Sequence, residues 1–176
     1  MKRMLKVSSV VLLCAVFGIQ AYAGGRKGPE VKAVDNALYK KECASCHFGY
    51  QPGLLPSASW QWVMDNLAQH YGTDASLESK EDIAQITQYL LDNASEKAMQ
   101  YRRSAKLTKS MQPGVLYTSI SQIPYHQKKH RKLKEWMVQQ KEVGSIARCA
   151  ACHTKADDGI YGGDTINIPN YGIWRD

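Results

Sequence analysis

Two short runs constrain this 176-residue chain more than anything else in it: Cys43-Ala44-Ser45-Cys46-His47 and Cys149-Ala150-Ala151-Cys152-His153. Both read C-x-x-C-H, the attachment pattern for c-type haem. Two intervening residues space the thiols so that each forms a thioether to one vinyl group of the same porphyrin. The adjacent histidine then stands beneath the iron as its proximal ligand. A chain with two such runs must fold around two large apolar cofactors, which leaves little independent core. The competing uses of four cysteines explain less. Two disulfides or a zinc site built from all four thiolates give the histidine after each pair no role. A thioredoxin-type redox pair needs a βαβ context that is missing.

The fifth cysteine, Cys14, falls in a segment outside the expected fold. Lys2, Arg3 and Lys6 precede an almost wholly apolar run, Val7–Ile19, and Ala21-Tyr22-Ala23 is a small-x-small cleavage site. Residues 1–23 read as a secretory signal cleaved after Ala23, with the periplasm as destination and only peripheral membrane contact expected. The apolar run is short for a membrane anchor, and Leu13 is a poor residue before a lipidated Cys14. Export changes the meaning of the charge. The chain is formally +7, but the signal removes three basic groups and no acidic ones. Residues 24–100 hold seven basic and ten acidic groups, residues 101–141 ten and one, and residues 142–176 three and five. An exported protein meets little nucleic acid, so that partner is discounted. The alternating cations Lys128, Lys129, Arg131, Lys132 and Lys134 are by default a solvated face. A sharper reading of the block pairs some with haem propionates and leaves the rest to dock an acidic partner.

Helical spacing recurs along the chain. Val31, Val34 and Leu38 predict a helix over Pro29–Lys41 leading into the first motif. A Pro/Gly loop, Gly49–Ser57, follows. Ser59 is a candidate N-cap for a helix through Tyr71, stopped by Gly72. Ser79 and Asp82 open another helix, with Ile83, Ile86, Leu90 and Ala94 on its apolar face. Gln112–Pro124 reads as a loop. Pro124 starts a basic helix to about Glu142 with the stripe His126, His130, Leu133, Trp136 and Met137. The tail after His153 reads as irregular structure wrapping a surface. No sustained alternation argues for a sheet, so the class is all-α. Residues 24–105 form one expected haem module, with its motif near the start. Residues 106–176 form a second, turned around, with its motif near the end.

Each iron also needs a sixth ligand, and a methionine there raises the potential relative to a histidine. Beyond His47 and His153 the mature chain offers His70, His126 and His130, with Met64, Met99, Met111 and Met137 as thioether alternatives. His70 ends an apolar stripe one helix after the first motif, which suits ligation, and Met111 in its loop is the main competitor. His126 and His130 lie one helical turn apart on one face, so periodicity cannot separate them. Met137, two turns on, suits packing beside the porphyrin.

The stretch CASCHFGYQPGLLPSASWQWVMDNLAQHYGTDASL resembles the N-terminal half of the exported bacterial dihaem cytochrome c family. IPYHQKKHRK, followed by CAACH and INIP, resembles its C-terminal half, so the resemblance spans roughly residues 35–170. It implies a class I cytochrome c-like N-terminal domain, a small irregular helical C-terminal haem domain, two covalently bound haem c groups and bis-histidine ligation of both irons. The family's histidine before an aromatic-Gly pair corresponds to His70, and the one ending its proline-aromatic segment to His130. His126 stands where the family usually has an aromatic residue, and remains the alternative second ligand. The resemblance further implies a low-potential carrier that works with a membrane b-type cytochrome, linked to quinol, and a soluble monohaem cytochrome.

Two function classes follow. An electron carrier needs filled coordination positions, whereas a dihaem peroxidase or reductase needs a vacatable position and acid–base groups beside it. Enough histidines are present to fill both irons, and only His126 then remains as an obvious base. The expected function is electron transfer, with no catalytic residues.

Overall fold

The computed structural model describes residues 28–175, so the expected signal sequence and its cleavage point lie outside the described residues. The segment before the first motif is helical only at its end. Helix α1 spans Ala37–Cys43, with the Asn36 side chain accepting from the Tyr39 N–H at 2.8 Å. The expected Pro29–Lys41 helix is therefore corrected. Residues 29–35 stay extended because the Glu30 and Val31 N–H groups donate to the Gly159 carbonyl, 2.8 and 3.2 Å away. That tie buries Val31 completely. It also requires glycine at 159, where φ is +70° and a Cβ would collide with the Val31 carbonyl oxygen.

Helix α2 spans Ser57–Asp65, starting two residues before the expected cap and ending well before Tyr71. Pro56 takes the cap position, and Ser59 lies inside the helix, fully buried. The end comes where the Asn66 side-chain amide donates to the Trp62 carbonyl at 2.7 Å, competing with the backbone ladder. A 3₁₀ turn, Leu67–Gln69, carries the chain on to His70. Helix α3, Lys80–Asp92, matches its expected start: the Ser79 hydroxyl accepts from the Asp82 N–H at 3.1 Å. Ile86 and Leu90 bury its apolar face against α2.

Helix α4, Arg102–Ser110, is absent from the expectations. It buries only Ser104 and Leu107, too few apolar positions to show a stripe. The expected basic helix from Pro124 to Glu142 is corrected to two short ones, α5 (Pro124–His130) and α6 (Glu135–Gln139). Lys128, Arg131, Lys132 and Lys134 would stack like charges at helical spacing through the break, which disfavours a continuous helix. The turn between α5 and α6 rotates the stripe apart, burying Met137 and leaving Trp136 51% exposed. After the second motif the chain runs through one 3₁₀ turn, Gly163–Thr165, and a minimal hairpin, β1 (Asn167–Ile168) against β2 (Gly172–Ile173). The class is all-α.

One hydrophobic cluster draws on both halves of the chain: Val31, Trp60, Ile86 and Leu90 with Ile120, Ile123, Ala156 and Tyr161. The expected module boundary at residue 105 falls inside α4, whose neighbours are α5 and the turn at Pro52–Leu54. Among the described residues no helix is long and apolar enough to cross a membrane.

Candidate functional site

Cys43 closes α1, and Cys46 and His47 follow in the turn beyond it, Cys43 half-buried and the other two exposed. His70 reaches them from the end of the 3₁₀ turn after α2. The His47 and His70 rings lie 6.0 Å apart, centre to centre, with an 11° angle between their planes. Two imidazoles bound to opposite faces of one iron are set by metal–nitrogen bonds of about 2.0 Å, with each ring centre ~1.1 Å further out, giving ~6.2 Å. The observed spacing fits that requirement. His70 is held by a strained turn: Tyr71 has φ +50° and Gly72 φ +90°, and the Thr73 N–H donates to the His70 carbonyl at 3.0 Å. A left-handed non-glycine residue costs about 1–2 kcal/mol. Here the Tyr71 ring sits edge-on to His70 at 4.9 Å, and its hydroxyl donates to the Thr118 carbonyl.

The second motif opens on a 3₁₀ turn, Cys149–Ala151, with the His153 N–H donating to the Cys149 carbonyl at 2.9 Å. The ring across from His153 belongs to His130, 6.2 Å away and turned by 79°. His126 stacks on His130, its ring centre 4.0 Å away and 25° from parallel. Cys149, Cys152, His153, His130 and His126 share the walls of a cleft of about 290 Å³ with Leu54, Leu107, Ile120 and Met137. Burial, with His130 and Arg103 nearby, pushes the His153 pKa down to about 3. Burial and the same neighbours, with His153, take His126 to about 3 as well. Both are therefore held as neutral imidazoles, the form that binds metal. The Cys43 and Cys149 thiols are each pushed up to about 11, chiefly by burial. The residues present fit haem at both positions: a thiol pair, the histidine that follows it, and a second histidine one iron's width away.

The methionine alternatives are placed elsewhere or beside the site. Met64 is buried in the core, Met111 packs against it, Met99 is exposed, and Met137 lines the second cleft.

The sequence reading missed a charged network at this cleft. Glu30 is 2% exposed and pairs with both Arg102 and Arg103. Two arginines opening α4 oppose the helix dipole, and the buried carboxylate offsets that. Arg103 also lies 5.0 Å over the Tyr161 ring. The Tyr161 hydroxyl donates to Gln51 at 2.6 Å, and Gln51 donates to the Ala156 carbonyl at 2.6 Å. The Arg-Arg pair at a helix start was the available signal. Nothing local marked Glu30, which lies 72 residues away from Arg102 in sequence. Tyr50 links the two sites: its ring is 5.5 Å from His47, and its hydroxyl donates to the Ala147 carbonyl, two residues before Cys149, at 2.6 Å.

Comparison with solved structures places this arrangement among known proteins. A dihaem cytochrome type c from Shewanella baltica OS155 is 35% identical, covering 80% of this chain and 98% of its own, with a TM-score of 0.64. A dihaem cytochrome c from Rhodobacter sphaeroides is 32% identical over 74% of this chain and all of its own, with a TM-score of 0.66. Comparison with curated proteins gives no match. The family profile for dihaem cytochrome c matches residues 39–161, both C-x-x-C-H motifs included. The chain belongs to the dihaem cytochrome c family, an electron-transfer family, and carries two covalently bound haem c groups.

Proposed function

We propose that the protein is a periplasmic electron carrier in which both irons are bis-histidine ligated, by His47 and His70 at the first haem and by His153 and His130 at the second. Cys43 and Cys46 hold one porphyrin, and Cys149 and Cys152 the other. The observation that carries this reading is the pairing of imidazole rings at 6.0 and 6.2 Å, each the width of one coordinated iron. A bound haem supplies a one-electron ferric/ferrous couple. The chain's own work is to fill both axial positions, so that oxidation state changes without substrate binding. The Nδ1 atoms of His47 and His130 lie 2.8 Å from the Phe48 and His126 carbonyls. A carbonyl only accepts, so Nδ1 carries the proton and Nε2 keeps its lone pair for the iron.

The electron is taken from a membrane b-type, quinol-linked donor and passed to a soluble haem protein, with 24–105 and 106–176 as the two haem modules. Arg102, Arg103, Lys106, Lys129 and Arg148 line the second cleft, where they suit the propionates. Lys128, Arg131, Lys132 and Lys134 are exposed, and within 101–141 they are the face proposed to meet an acidic partner. Replacing His130 with alanine tests the reading. The second haem should become high-spin and open to added ligands, while His126→Ala leaves both haems low-spin. The reverse result would move the ligand to His126. Appreciable peroxide turnover by the fully low-spin protein would favour the enzyme class.

A further inference from the structure

The two histidine pairs agree in spacing and differ in rotation: the planes are 11° apart at the first site and 79° apart at the second. Each coordinated imidazole plane contains the iron–nitrogen axis, so this angle is the twist of one ligand against the other about that axis. An imidazole donates π density perpendicular to its plane, into one of the two iron d orbitals of π symmetry. Parallel rings raise the same orbital and split the pair. Crossed rings raise one orbital each and leave the pair nearly degenerate, which changes the magnetic anisotropy of ferric iron.

We infer that the first haem has parallel axial ligands and the second crossed ones, and that His126 is the positioning residue for the crossed pair. The inference rests on the bis-histidine reading and goes beyond it. The structure shows what turns each ring. His47 points Nδ1 at the Phe48 carbonyl at 2.8 Å, and His70 is backed edge-on by Tyr71 at 4.9 Å. At the second site His130 meets the His126 backbone carbonyl at 2.8 Å and lies on the flat of the His126 ring, 25° from parallel at 4.0 Å. The hydrogen bond fixes one edge of the His130 ring, and the stack fixes its rotation. His153 is backed by Tyr161 at 5.1 Å, so it cannot turn freely to follow. His126 is 8% exposed, so its ring has little room to leave the stack.

Low-temperature electron paramagnetic resonance of the fully oxidised dihaem protein tests this. The expected spectrum has two low-spin signals of equal intensity, one rhombic and one dominated by a single low-field feature. His126→Leu fills the space without a flat ring, and should move the low-field feature toward the rhombic position while leaving the other signal alone. His126→Phe restores the plate and should restore the feature. Two alike rhombic signals from the unaltered protein would overturn the inference and leave bis-histidine ligation standing. An unmoved low-field feature in His126→Leu would overturn the role of His126. A high-spin signal from the unaltered protein would overturn the ligand pairing, and this inference with it.

Discussion

The two haem sites use the same covalent pattern on different foundations. At the first, Cys46 and His47 are exposed, and His70 is delivered by a strained turn outside any helix. At the second, the motif lines a cleft that reaches Leu54, Leu107 and Ile120 of the shared core, backed by the Glu30–Arg103 pair and Tyr161. The first motif lies at an exposed face, whereas the second lines a cleft into the interior. Their difference separates two duties of a cofactor: to carry an electron, and to fill space that the chain alone does not fill.

The strongest test of that comparison is to remove each haem in turn. Cys149→Ala with Cys152→Ala should abolish cooperative unfolding, because the cleft then opens through the core. Cys43→Ala with Cys46→Ala should lower the melting temperature yet leave a cooperative transition. Circular dichroism melts of both double variants, with haem content set by intact mass, make the comparison. Equal losses would show that the first site is as structural as the second.

The next test addresses the charges that hold the second site to the N-terminal segment. Removing one member of a buried ion pair strands the other, at about 3–5 kcal/mol. Glu30→Ala strands Arg103, whose side chain is 16% exposed, so a loss of about 3 kcal/mol is expected in denaturant unfolding. Arg102 is 51% exposed, and water replaces much of its pairing, so Arg102→Ala should cost less than about 1 kcal/mol. Similar losses for the two would mean that the pair acts at the surface.

How much of this was legible in sequence divides along the same line. The attachment motifs are local, with Cys, Cys and His within five positions, so sequence alone indicates two haem c groups, as the family has. The α3 helix was legible because Ser79 caps it and Ile86 and Leu90 bury one stripe. His126 and His130 could not be separated, because one helical turn puts both on the same face. In the fold the His130 ring lies 6.2 Å from His153, a relation that local sequence does not carry. Helix α4 was hidden because its partners are charges: Glu30 waits on an extended segment that a periodicity argument turned into helix. The break between α5 and α6 is not legible in the apolar stripe, because it follows the repulsion among Lys128, Arg131, Lys132 and Lys134 instead.

The smallest expected effect concerns the outer face of the second site. If Lys128, Lys132 and Lys134 steer an acidic partner, they act on encounter and not on the fold. Exposed charges at such positions change stability by no more than about 0.5 kcal/mol. Their attraction reaches about 10 Å at 0.1 M salt, so it enters the second-order rate and fades as salt is added. Stopped-flow oxidation by an acidic soluble haem protein should therefore slow steeply with ionic strength. Replacing the three lysines with glutamate should flatten or invert that dependence at unchanged melting temperature. The inner cations of the block provide the contrast. Arg103 and Lys106 line the cleft, where Glu30 already meets the charge of Arg103 and a propionate would meet that of Lys106. Replacing Lys106 with glutamine should leave the salt slope nearly as it was. A slope that follows the inner cations as closely as the outer lysines would place docking over the second haem's propionate edge, and would make the cleft mouth the point of electron exit.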